Sequence, residues 1–292
     1  MSVKLEVRPS AIAGQWYPAE SVELRQMVTR LIDAAEVALP TDEEVVGLIA
    51  PHAGYLYSGP VAAYAYRTIR GQSFERVVML GPLHRPIMIG HLAPAMVSGE
   101  DAYETPLGIV PVDQDFRQAL AAHAPLGPIR ADVEHSLEIQ LPFLQATIGQ
   151  FSFVPLLLAE PLEDANSLAR TRALGKAIAA TVTKLGGSTL LVASSDLSHL
   201  PDYQMVRRQD ERLARLVTDY DLDGLAQALA TGQVYACGGA AVVATMVAAQ
   251  ALGATRALPL RYATSGDITG DKRPGTYTVG YLAAAMTWPK AV

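Results

Sequence analysis

The 292-residue chain has one cysteine, Cys237, and so cannot form an intrachain disulfide. That suits a reducing compartment. Basic charge is scarce: 23 Lys and Arg stand against 29 Asp and Glu, for a formal charge of −6, and no basic run occurs. Without such a run there is little to neutralise phosphates, which disfavours nucleic-acid binding. Long hydrophobic runs are missing as well. The longest near-apolar stretch, Gly238 to Leu252, is too short for a bilayer and carries Thr245 and Gln250. The opening Met1-Ser2-Val3-Lys4-Leu5-Glu6-Val7-Arg8 lacks the apolar centre of a secretion signal. These absences predict a soluble, cytoplasmic protein with neither nucleic acid nor membrane as partner.

What is present is a core. Half of the residues are hydrophobic, and a fold of this size buries roughly three quarters of the surface its unfolded chain exposes. Leu24, Met27, Val28, Leu31 and Ala35 recur at helical spacing behind Ser21, a predicted cap. Val46–Ala50 reads as a buried strand stopped by Pro51. Ser58 and Pro60 open a second helix that Gly71 can end, and Arg76–Leu80 is the next strand. Downstream, Asp113 opens a helix carrying Phe116 and Leu120. Glu134–Leu144 reads as a helix bent or ended by Pro142. Phe151–Leu158 and Ser188–Ala193 are predicted strands around a helix over Leu168–Leu185. A long helical region from Gln204 to Ala230 breaks near Asp221–Gly224. A helix follows Cys237, and Arg256–Ala263 and Thr276–Ala283 close the chain as strands. Strand–helix alternation predicts a layered α/β fold with a central parallel or mixed sheet flanked by helices. No Pro/Gly/Ser-rich linker or internal repeat divides the chain, so residues 1–292 are expected to form one domain.

Ligands of open α/β sheets gather beyond the carboxyl ends of the strands. His52, His84 and Asp196 each follow a predicted strand closely, in Pro51-His52-Ala53-Gly54-Tyr55, Gly81-Pro82-Leu83-His84 and Ser194-Ser195-Asp196-Leu197-Ser198-His199. Cys237 precedes Gly238-Gly239 and a predicted helix, whose positive end favours a thiolate. The plainer alternatives are a backbone-bonded loop histidine and a small buried thiol. Two imidazoles and a thiolate suit iron, copper or zinc and argue against magnesium or calcium. Asp196 is a candidate to orient His199 or an imidazole ligand, and His199 to move protons. His135, in Glu134-His135-Ser136-Leu137-Glu138, is a pocket candidate, whereas Glu134 and Glu138 fit a helix surface. His91 and His123 have no supporting cluster and are assigned to structure or surface. Thr264-Ser265-Gly266-Asp267 reads as a turn between strands, with a pocket role left open. The serine cluster lacks the Gly-x-Ser-x-Gly elbow of a serine hydrolase.

These segments, with Ala13-Gly14-Gln15-Trp16-Tyr17-Pro18 and Ala236-Cys237-Gly238, resemble in order and spacing the MEMO family, called AmmeMemoRadiSam system protein B in prokaryotes. The resemblance implies a fold similar to the class III extradiol, LigB-like dioxygenases, which bind Fe(II) through two His and one Glu. It implies that His52, His84 and Cys237 are the metal ligands, with Cys237 where the dioxygenases have a carboxylate. It also implies that His199 is the acid/base histidine, with Asp196 beside it. Iron or copper and redox chemistry follow, with zinc less favoured and no organic cofactor expected. The alternative is a non-catalytic binding module that uses the same cleft for peptides, or for AMMECR1-like and radical-SAM proteins. Trp16, Tyr17 and Tyr55 are its candidate aromatic contacts. A zinc hydrolase is a third reading.

Overall fold

Leu24, Val28 and Ile32, one helical turn apart, are buried along a single face, and they make Ser21–Ala34 a helix that packs on the helices over Gly59–Arg67 and Leu141–Thr147. A computed structural model describes residues 5–40, 42–84, 93–159 and 162–289; His91 lies outside them. In chain order the elements begin with β1 (Val7–Arg8), α1 (Ser21–Ala34), β2 (Glu43–Ala50), α2 (Gly59–Arg67) and β3 (Arg76–Pro82). Four short strands and a helix follow: β4 (Ala95–Ser98), β5 (Ala102–Thr105), β6 (Gly108–Pro111), α3 (Gln114–Ala121) and β7 (Leu126–Ile129). Next come α4 (Leu141–Thr147), β8 (Ser152–Leu158), α5 (Ala165–Leu185), β9 (Thr189–Ser194) and β10 (His199–Leu200). The chain continues through α6 (Tyr203–Thr218), α7 (Leu222–Ala230), α8 (Gly239–Ala251), β11 (Arg256–Thr264), α9 (Ser265–Thr269) and β12 (Thr278–Pro289).

Among the described residues the main sheet has nine strands in the order β10-β12-β2-β9-β3-β8-β4-β7, with β11 added on β12. Its centre, β2-β9-β3-β8, is parallel, and β12 and β4 join it antiparallel on either side. The sheet is therefore mixed. A three-stranded sheet, β1-β5-β6, lies apart from it. Helices cover both faces. One core unites the sheet with α5 through α8, the other with α1, α2 and α4. Strand β9 sits between β2 and β3, so the ends of three parallel strands open side by side, delivering His52, Asp196 and His84 to one edge.

The near-apolar stretch that the sequence singled out is α8, buried on nearly every side by α5 and the central strands. Among the described residues no helix is long and apolar enough to cross a membrane.

Several boundaries differ from expectation. Ser21 is the first helical residue; Glu20 stands at the cap position and makes no side-chain cap. Residues 134–137 are not helical: a 3₁₀ turn spans Glu138–Gln140, and α4 starts only at Leu141. Pro142 falls in the first turn of α4, where its missing N–H costs nothing. The Gln204–Ala230 region is two helices, and Asp221 caps the second by accepting from Gly224 N–H. Thr264–Asp267 is not a turn but the capping box of α9. Strands β1 and β4 to β7 carry too few residues for period-2 alternation to register in the sequence.

Helices α5 and α8 meet at a glycine. A Cβ on Gly175 would lie 2.5 Å from Ala244 O and 2.9 Å from Val247 Cβ, so the two backbones approach as only glycine permits. Gly175→Ala is expected to destabilise the fold by roughly 1–3 kcal/mol through overpacking, against the gain in helix propensity. Urea unfolding checks this; unchanged or raised stability would show that α8 yields.

Candidate metal centre

The site is built by three strand-end loops and one helix entrance. Beyond β2, the His52 N–H donates to Asp196 Oδ1 at 2.7 Å, which ties the loop after β2 to the loop after β9. Beyond β3, His84 N–H donates to Glu134 Oε2 at 2.7 Å. At the entrance of α8, a Cβ on Gly238 would stand 2.4 Å from Ser194 O, so glycine is what lets Cys237 come this close to the β9 end. Asp196 N–H then donates to Cys237 Sγ at 3.2 Å.

Proton bookkeeping assigns the tautomers. Tyr66 O–H donates to Gln140 Oε1 at 2.7 Å, which fixes that amide so that Nε2 donates to Ser194 Oγ at 2.8 Å. Ser194 gives its only proton to Ser136 O at 2.5 Å. His52 Nδ1, 3.1 Å from Ser194 Oγ, must therefore be the donor. Its Nε2 is then the basic nitrogen, and it accepts from Cys237 Sγ–H at 3.1 Å. Burial, followed by the neighbouring His84 and His135, pushes His52 well below the ordinary imidazole range and keeps it neutral. Burial, reinforced by Asp196, pushes the Cys237 thiol well above its ordinary range. Burial beside a carboxyl group thus opposes the thiolate that the helix N-terminus favours.

The other two rings share one carboxylate. His84 Nδ1 is 3.0 Å and His135 Nδ1 is 3.2 Å from Glu134 Oε1. Burial opposes ionisation of Glu134, but the His84 hydrogen bond and both imidazoles outweigh it and hold the carboxyl down at about 2. An ionised carboxylate only accepts, so His84 Nδ1, hydrogen-bonded to it, carries the proton. The ring planes of His84 and His135 stack, with centroids 4.6 Å apart and 14° between planes. Both rings stand edge-on to His52. Ligand-capable atoms of His52, His84 and His135 all lie within 4.8 Å of one another. His52 is buried, His135 half-buried and His84 exposed, so the cluster runs from core to surface.

A cleft of about 450 Å³ opens over the cluster, lined by Gln15, Trp16, Tyr57, His199 and Tyr277 as well as the three imidazoles and Asp196. Trp16 packs on His135 with ring centroids 4.1 Å apart. His199 faces Tyr235 and Tyr277, and its Nε2 is buried with no hydrogen-bond partner among the described residues. Burial, with His84 nearby, lowers its pKa. Asp196 accepts the backbone N–H of His52, while that imidazole is oriented by Ser194. Burial pushes Asp196 up to about 7 against the N–H groups of His52 and Ala53. Tyr17 and Tyr55 are buried, and their hydroxyls donate to Glu138 Oε1 and Ile139 O. Trp16 is the one of the three candidate aromatics that lines the cleft.

Glu134 and Glu138 were read as helix-surface residues; both are buried. Glu138 accepts from Arg8 Nη1 at 2.7 Å, Ser10 Oγ at 2.6 Å, Tyr17 O–H at 2.8 Å and Ala11 N–H at 2.9 Å. It thereby holds the Ser10–Tyr17 loop that brings Trp16 to His135. Arg8, itself buried, also donates to Asp132 Oδ1 at 3.0 Å and Glu134 O at 2.7 Å. Arg8, Gln140 and Ser194 escaped the sequence reading. The one available signal was an Arg set among apolar residues near the N-terminus, which nothing in the sequence pairs with acids more than 120 positions away.

Fold and site define a mixed-sheet α/β protein with a buried-to-exposed histidine cluster at its parallel strand ends. A family model described as Memo-like protein matches residues 8–285. A MEMO1 family protein of Methanopyrus kandleri is 36% identical over 289 residues, covering 94% of this chain and 97% of its own. A MEMO1 family protein of Nitrosopumilus maritimus is 33% identical over 284 residues, covering 95% and 98% respectively. The chain belongs to the Memo-like family.

Removing Arg8 would leave Glu138 and Asp132 as uncompensated buried acids. Arg8→Ala is expected to cost on the order of 3–5 kcal/mol, measured by urea unfolding; a loss below about 1 kcal/mol, the scale of an exposed pair, would refute the role given to this network.

Proposed function

We propose that the protein binds a first-row transition metal, iron or copper, at the histidine cluster and serves redox or dioxygenase-like chemistry on a small substrate in the cleft. The observation that carries this reading is the convergence of His52 and His84, each with Nδ1–H held by a named partner, next to the Cys237 thiol. Neutral imidazole nitrogens and sulfur suit iron, copper or zinc, and give magnesium and calcium none of the oxygen donors they require. His52, His84 and Cys237 are the ligands that family membership suggests. Bound there, the metal would supply a redox centre and a Lewis acid for a substrate oxygen.

The chain's own groups have separable tasks. Ser194 and Glu134 hold the rings of His52 and His84, so neither must be reoriented on binding. Trp16 and Tyr277 wall the cleft and give a flat substrate apolar surface. His199, its Nε2 turned to no protein partner among the described residues, is the group that takes a proton from the substrate or returns one. Asp196 fixes the His52 backbone and so acts on position.

Protein purified without chelator is expected to carry near-stoichiometric metal, and a His52→Ala/His84→Ala double variant to carry almost none, by elemental analysis. Equal metal in the two would sink the ligand assignment. Anaerobic reconstitution with Fe(II), followed by oxygen uptake with a panel of catechols and thiols, tests the chemistry. Tight zinc with oxygen-independent hydrolysis would replace the redox reading with that of a hydrolase.

A further inference from the structure

We infer that His135 is itself a metal ligand, forming with His52 and His84 a three-imidazole face that Cys237 approaches only through His52. The inference rests on the metal-binding reading above and revises its donor set.

Glu134 contacts both outer rings, by a hydrogen bond to His84 and at ion-pair distance from His135. Its Oε1 lies 3.0 Å from His84 Nδ1 and 3.2 Å from His135 Nδ1. The same carboxylate accepts His84 N–H through Oε2 at 2.7 Å and His135 N–H through Oε1 at 2.8 Å, so the backbone of both residues is set by one group. An imidazole with Nδ1–H on a carboxylate and Nε2 directed elsewhere is how proteins prepare a histidine to bind metal. Glu134 prepares His84 in this way, and near-parallel stacking at 4.6 Å keeps the His135 ring beside it.

Distance then separates His135 from Cys237. The ligand-capable atoms of His135 fall within 4.8 Å of those of both His52 and His84, and Cys237 stands outside that grouping. The sulfur instead meets His52 Nε2 at 3.1 Å, the very nitrogen that would bind metal. Trp16, packed on His135 at 4.1 Å, restrains that ring further.

The test uses Co(II) and Cu(II) as probes on the full chain. Co(II) affinity is measured by titration of chelator-treated wild type, His135→Ala, His135→Gln, Glu134→Gln and, as a control outside the cluster, the exposed His123→Ala. Thermal unfolding confirms that each variant folds. Both His135 variants are expected to weaken Co(II) by more than about tenfold, and Glu134→Gln by roughly 10–100-fold, with His123→Ala unchanged. Copper spectra distinguish ligation from an indirect effect on His84. Cu(II)-loaded Cys237→Ser protein should show one more coupled nitrogen in its electron paramagnetic resonance spectrum than the Cys237→Ser/His135→Ala double variant. Unchanged affinity in the His135 variants, or the same nitrogen coupling with and without His135, overturns the inference while leaving a metal on His52, His84 and Cys237. Failure of the wild type to bind Co(II) or Cu(II) overturns both readings.

Discussion

One ionised carboxylate, Glu134, joins the strand end that carries His84 to the irregular segment that carries His135. Its oxygens take the backbone N–H groups of His84, His135 and Ser136 and the His84 imidazole, with His135 Nδ1 3.2 Å away. Burying it unpaired would be costly, because a carboxylate loses its hydration without compensation. The same interactions that satisfy it also determine which nitrogen of His84 is left to act. Structure and chemistry are thus two consequences of a single satisfied charge.

The arrangement extends in two directions. Inward, the chain Tyr66–Gln140–Ser194–His52 is polarised by hydrogen-bond counting alone and ends on the Cys237 thiol. Outward, Arg8 holds Asp132, Glu138 and the Glu134 carbonyl, and Glu138 holds the loop bearing Trp16. Buried polar networks of this kind specify geometry more than they add stability, since desolvation offsets much of their attraction. The apolar layers on both faces of the sheet supply the stability. The network decides where a few side chains stand.

Much of this was legible beforehand, for a definite reason. His52, His84 and Asp196 directly follow strands whose apolar runs are unmistakable, and parallel strands gather their ends at one edge. His135, Glu134 and Glu138 were harder. Their segment looks helical because apolar residues recur at suitable spacing, yet residues 134–137 are irregular and Pro142 sits in the first turn of α4. Glu134 and Glu138 looked solvent-exposed because an isolated acid usually is; the Arg and His partners that bury them lie far away in sequence or in an adjoining loop. The family resemblance supplied His52, His84 and Cys237 as a set, whereas the fold groups His135 with the first two and sets Cys237 against His52.

The sequence by itself determined the layered α/β architecture, the strand ends at which chemistry gathers and membership in the Memo-like family, because hydrophobic periodicity and local motifs are short-range properties. Tertiary structure alone decided the tautomers, the burial of the thiol and the pairing of His84 with His135. Those depend on which donors meet which acceptors across 50 to 185 residues of chain, and burial then sets the energetic cost of every unpaired charge.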